Sequence, residues 1–288
     1  MNRFVVALAG AAIMAQISYP LVTGSRRDVV TVAVVVLLAS CALVHAAVSR
    51  GIGWALMLFA TTAGLGLIAE IVGTATGFPF GSYGYATGRL GPDIVGVPAV
   101  VPLAWTAGFY PIWCAVSYVL QRSSASPARR RIHRVVITAV GMVGWDLYLD
   151  TQMVTDGQWT WTSPIAGLPG IPSIPVSNYL GWFVTAAIMA LIVDTLGRRF
   201  QADRTTLTPI SDTAPLVLFT WTWLGSALAH AALLTGPELR YSAVYGFFAM
   251  GVVGVPLAWT WATSGWATSR WATSRKPTTE PRGRTRTR

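Results

Sequence analysis

Eight separate apolar stretches, each about 20 residues long, leave this chain little choice of fold. They run from about 4 to 24, 29 to 48, 53 to 73, 99 to 120, 135 to 154, 178 to 197, 214 to 235 and 241 to 262. A hydrocarbon core roughly 30 Å thick is crossed by about 20 such residues in a helix, and only helices or closed barrels satisfy every backbone group there. The pattern predicts an all-α integral membrane protein, a bundle of about eight transmembrane helices forming one domain over 1–262. With 53% hydrophobic and 11% charged residues in 288, the chain is far more apolar than a soluble domain. The first span follows Arg3 and is rich in Ala and Gly, as a signal peptide is; seven further spans favour a retained helix.

Charge sets the expected orientation, because cytoplasmic loops carry the excess of Lys and Arg. With an even number of spans and the N-terminus inside, 17 of the 21 basic residues fall on one side, and only Arg26, Arg27, Arg89 and Arg240 fall outside it. The reading is a multi-pass protein of the cell membrane with both termini cytoplasmic. Its net charge of +10 then describes topology and contact with anionic membrane lipid, not a nucleic-acid partner. From 263 to 288 the chain is basic and repeats Trp-Ala-Thr-Ser, which predicts a disordered tail at the lipid surface. Cys41 and Cys114 lie inside spans as small apolar thiols, so neither a disulfide nor a metal site is expected.

Two loops on the side opposite the basic residues, following the third and fifth spans, are long and crowded with Gly, Pro and aromatic residues. The first contains Gly77-Phe-Pro-Phe-Gly-Ser-Tyr-Gly-Tyr85 and ends at Gly96-Val-Pro98; the second contains Asp156-Gly-Gln-Trp-Thr-Trp161 and ends at Gly170-Ile-Pro172. Each leads into a span with an early Trp, Trp105 or Trp182, a weak internal repeat. Irregular backbone is tolerated at membrane depth only when buried in protein, so these extracytoplasmic loops are expected to fold over the bundle as lids.

Acids stand out in such a background. Glu70 is the sole charge in Ile68-Ala-Glu-Ile-Val72, where an ionisable group faces the bundle interior and marks a functional path, or else serves as a structural carboxyl bonded to a neighbouring helix. Asp146 and Asp150 are four residues apart and share a helix face. If both are buried, one holds a proton while the other stays ionised, the arrangement of a general acid beside a general base; alternatively, Asp150 is a solvated helix end. Asp156 is either a further acid or a turn former, and His230, at the depth of Glu70, is a possible addition to the network. His45 and His133 lie toward the other side. Local ion pairs are expected for Asp194 with Arg198 and for Arg89 with Asp93. Tyr83, Tyr85, Trp105, Trp145, Tyr148, Trp159, Trp161, Asn178 and Trp182 complete a candidate substrate-binding layer. Belt and packing roles account for many such rings, yet their faces also stabilise cations, which suits acid chemistry passing through a carbocation. No phosphate-binding loop, dinucleotide fingerprint, zinc-hydrolase motif or Asp-rich magnesium motif is present.

These same segments resemble the membrane-bound carotenoid hydratases of the bisanhydrobacterioruberin and γ-carotene 1,2-hydratase type. The resemblance rests on Glu70, the Gly77 to Tyr85 run, Gly96-Val-Pro98, Pro102-Leu-Ala-Trp105, Trp145-Asp-Leu-Tyr-Leu-Asp150, Gly157-Gln-Trp-Thr-Trp161 and Asn178-Tyr-Leu-Gly-Trp182. It covers about 65 to 200; Thr151 departs from it, standing where Pro is expected. It implies addition of water to the terminal C=C of an acyclic carotenoid, without cofactor, and lipophilic substrate and pathway membrane enzymes as partners. Combined with the acids, it leads us to expect proton delivery by Asp146 or Glu70, with Asp150 or a neighbour as base. A lycopene-cyclase-like isomerase begins with the same protonation, and a proton-coupled transporter would also use intramembrane acids.

Overall fold

The computed structural model describes residues 2–200 and 211–273, with side chains through residue 263. Arg204 and most of the expected tail therefore lie outside the described residues.

Among the described residues, eight helical segments are long and apolar enough to cross a membrane, so the expected bundle is present. Helix α1 (Arg3–Ser18) starts at Asn2, whose side-chain oxygen accepts the Phe4 N–H. Helix α2 (Ser25–Arg50) returns, and the third span is composite: α3 (Ile52–Phe59), a π-helical turn at Ala60–Gly64, then α4 (Leu65–Thr76). That wide turn breaks what reads as one continuous span, and within it Thr62 bonds Thr106 across to the fourth span at 2.7 Å. The fourth span is α5 (Val100–Leu120) and the fifth α6 (Pro127–Thr155). Then follow α7 (Val176–Phe200), α8 (Thr213–Leu228) with a second π turn at Ala229–Leu233, and α9 (Leu239–Thr273). Cys41 and Cys114 are free and buried.

Helix α5 is the axis of the bundle, packed by α2, α6, α8 and α9 and with 89% of its apolar window buried. Small residues let bulky rings sit against it. Trp105 lies over Gly66, where an added Cβ would come within 2.5 Å of the indole, and Trp145 lies over Gly108, where the distance would be 2.3 Å. Interiors packed this tightly do not yield to an extra methyl without distortion.

The two long loops join each other. Strand β1 (Tyr83–Tyr85) of the first pairs antiparallel with β4 (Trp159–Trp161) of the second, in the register Tyr83 with Trp161, Gly84 with Thr160 and Tyr85 with Trp159. Alternation along a strand turns the four rings to the bundle and leaves Gly84 and Thr160 exposed. Short hairpins β2 (Asp93–Ile94) with β3 (Val97–Pro98), and β5 (Gly167–Leu168) with β6 (Ile171–Pro175), finish the two loops.

Ion pairs fix this ribbon to the first helical hairpin. Arg27 Nη1 donates to Asp156 Oδ1 at 2.6 Å, and the Tyr19 hydroxyl donates to the same carboxylate. Arg89 does not pair with Asp93 as expected. It reaches Asp28 on α2 instead, at 2.6 and 3.1 Å, and also the Asp156 carbonyl at 2.5 Å. The loop folds back over α2, so a residue far away in sequence outcompetes the neighbour four positions on.

Substituting Gly108→Ala should destabilise the protein by about 1–3 kcal/mol, lowering the Tm in detergent by roughly 2–4 °C per kcal/mol. Gly10→Ala, with nothing within 4 Å of the new methyl, should leave the Tm unchanged or raise it slightly.

Candidate active site

Under the ribbon lies a pocket whose wall carries two of the three expected acids, Glu70 and Asp150. Glu70 is supplied by α4 nearly two turns before that helix ends at Thr76, and it is 5% exposed. Its Oε2 accepts the hydroxyls of Tyr83 at 2.5 Å and Tyr85 at 2.7 Å, while Oε1 accepts the Trp105 indole N–H at 3.1 Å. Burial first, and then the negative charge of Glu70, pushes both phenols far above the ordinary tyrosine range. They therefore stay protonated and donate. Three donors converging on two oxygens is an arrangement suited to a carboxylate.

The aspartates are served differently. Asn178, at the start of α7, gives its side-chain amide to Asp146 Oδ2 at 3.0 Å and to Asp150 Oδ2 at 2.5 Å. All three residues are buried, Asp146 completely. Among the described residues the other oxygen of Asp146 has no partner, nor do Trp161 Nε1 and the Tyr179 hydroxyl. Among the described residues, no ion pair reaches Glu70, Asp146 or Asp150; Asp28, Asp156, Asp194 and Asp212 all have arginine partners. Two carboxyls on one amide, with no cation, are an arrangement that favours sharing a proton.

Aromatic rings line the remaining wall. Trp105 and Trp182 stack with centroids 3.8 Å apart and planes within 16°, Tyr83 stacks on Trp161 at 5.4 Å, and Tyr85 meets Trp159 edge-on at 5.5 Å. The expected layer is thus partly assembled: Glu70, Asp150, Tyr83, Tyr85, Trp105, Trp159, Trp161, Asn178 and Trp182 share one cavity. Asp146 stays behind Asn178, off the wall. Trp145 and Tyr148 face an adjoining pocket, which shares Thr31, Val35, Leu149 and Met153 with the first. Asp156 belongs to the ion-paired latch. His230 does not join the acids; its ring bonds Ser242 at 2.9 Å and Gln152 at 3.1 Å, in the second π turn.

Several lining residues are not singled out by the sequence. Phe80 was within reach, since it lies inside the Gly77 to Tyr85 run, and it fills the space above Gly73 and Gly181. Thr31 and Val35, from α2, look like any other residues of an apolar span. No group of three or more His, Cys, Asp or Glu residues is arranged to hold a metal among the described residues.

No solved structure matches the chain. A bisanhydrobacterioruberin hydratase from Haloarcula japonica is 26% identical over 206 residues, which is 69% of this chain and 64% of that protein's length. Residues 29–253, which include every residue of the acid cavity and both loops, match the family described as carotenoid biosynthesis protein, and the chain belongs to that family.

Proposed function

We propose that the protein is a hydro-lyase that adds water across the terminal C=C of an acyclic carotenoid end group. The observation that carries this reading is the single cavity in which Glu70 and Asp150 face each other's surroundings of Tyr and Trp rings, with no cation to neutralise either acid. Alkene hydration is redox-neutral, so protein carboxyls suffice and no cofactor is invoked.

In this scheme the Asp146–Asp150 pair holds one proton, and Asp150, the member on the cavity wall, delivers it to the less substituted carbon of the terminal double bond. The π electrons form the new C–H bond and leave a tertiary cation on the adjacent carbon. The faces of Trp105, Trp182 and Trp161 stabilise that cation, and Glu70, held ready by its three donors, attracts the positive charge and orients the water. Water adds to the cation, its surplus proton passes to Glu70, and transfer of that proton to the aspartate pair resets the site. The product is a tertiary alcohol. The adjoining cavity offers apolar room for the polyene behind the end group.

The substrate reaches this site from the bilayer of the cell membrane. We place the ribbon on the extracytoplasmic side and both termini in the cytoplasm, since the sequence assigns 17 of the 21 basic residues to segments on the other side of the spans.

Expression in a host that accumulates acyclic carotenoids should yield pigments heavier by one water for each converted end, read by chromatography with mass detection. Pigment of altered retention but unchanged mass would instead indicate cyclisation, and unchanged pigment would remove the proposal. Asp150→Asn should cut the hydration rate by roughly 10²–10⁴-fold, the range of general acid catalysis. Asp146→Asn, one residue removed from the wall, should cost distinctly less. Equal losses in the two variants would contradict Asp150 as the donor. Tyr83→Phe or Tyr85→Phe should each slow hydration by roughly ten- to a hundredfold through loss of one hydrogen bond to Glu70.

A further inference from the structure

At the opposite end of the bundle, where α2, α3, α5, α6 and α7 converge, a second polar centre surrounds a pocket. Arg50, Arg134 and Arg198 line it together with Asp194 and Asp212. The charges do not balance. Asp194 is bound by Arg134 at 2.5 Å, Arg198 at 2.5 Å and Arg131 at 3.2 Å, and Asp212 by Arg50 at 3.2 Å. Among the described residues, four guanidiniums face two carboxylates, an excess of two positive charges.

The donors do not balance either. Arg134 Nε and Trp54 Nε1 are buried with no acceptor among the described residues. The Trp54 N–H lies against Gly197, another wall residue, where an added Cβ would come within 2.8 Å of the nitrogen. A buried donor left without an acceptor is costly, and two of them beside surplus positive charge call for an anionic acceptor with several oxygens. The cations are also held in place: Arg50 sits over the Trp54 ring at 5.1 Å and Arg134 over Trp113 at 5.6 Å. Arg50 ends α2 and Arg198 is in the last turn of α7, so the centre lies where the spans meet the headgroup layer.

We propose that Arg50, Arg134, Arg198 and the Trp54 N–H form a binding site for a phosphate group, whether the phosphodiester of an anionic lipid headgroup or a free phosphate. A tetrahedral phosphate offers several oxygens to guanidiniums converging from different helices, which a carboxylate cannot match. The site is separate from the acid cavity and does not depend on the hydration reading.

Native mass spectrometry of the full chain in detergent, titrated with phosphatidylglycerol or phosphatidylcholine, tests it, with inorganic phosphate as competitor. A phosphatidylglycerol adduct is expected that weakens about tenfold in Arg134→Gln, the loss of one charged hydrogen bond, and stays unchanged in Arg129→Gln, an exposed arginine at the same end. Resistance of that adduct to inorganic phosphate identifies the headgroup as the source; an Arg134-dependent phosphate adduct identifies the free ion, and either supports the site. Trp54→Phe removes one donor while keeping a ring, and should weaken binding several-fold; it carries the same test if Arg134→Gln does not fold. Equal weakening in Arg129→Gln and Arg134→Gln, or no preference for phosphatidylglycerol with no effect of phosphate, overturns the proposal.

Discussion

A buried carboxyl with no cation beside it governs one end of this protein. Glu70 lies where lipid supplies no hydrogen bonds, so the chain itself has to bring the donors. One comes from α5, as the Trp105 indole, and two come from a loop that on its own has no reason to lie over the helices. Tyr83 and Tyr85 reach Glu70 because β1 pairs with β4, and β4 is in position because α6 ends at Asp156, which Arg27 and Tyr19 hold. Pairing of Arg89 with Asp28 closes the same circuit. The first hairpin, both loops and the central helices are thereby linked through one side chain's need for partners.

Much of this was legible in the sequence, for identifiable reasons. Span number follows from hydropathy because the bilayer imposes a fixed length. Glu70, Asp146 and Asp150 are visible because a charge in an apolar run has no trivial explanation. The i, i+4 pairing of Asp194 with Arg198 is found in the structure because a helix enforces it. The same spacing misleads for Arg89 and Asp93, which are not on a helix but in a loop that turns back to α2. The π turns carry no compositional mark, since a change of hydrogen-bond register needs no particular residue. Tyr148 was grouped with its neighbours Asp146 and Asp150, yet two residues along a helix turn about 200°, and its ring meets His230 and the second cavity instead. Which aspartate reaches the cavity depends on where Asn178 of α7 intervenes, a matter of packing between helices that one helix cannot reveal.

The two ends of the bundle solve opposite problems. At one, Glu70, Asp146 and Asp150 lack cations and are served by neutral donors; at the other, arginines outnumber acids among the described residues and cluster about Asp194 and Asp212. The sequence shows this polarity only as a tilt in the distribution of basic residues. In three dimensions it becomes two separate chambers, one ringed by aromatic faces and the other by guanidiniums.

The ribbon has a last consequence. Its backbone bonds and flanking ion pairs cap the acid cavity on the loop side, so under the proposed function a rod-shaped polyene would have to enter from the lipid with one tip leading. On that reading a substrate with two identical tips would present them one at a time, and the singly hydroxylated pigment would leave the site before its second tip is treated.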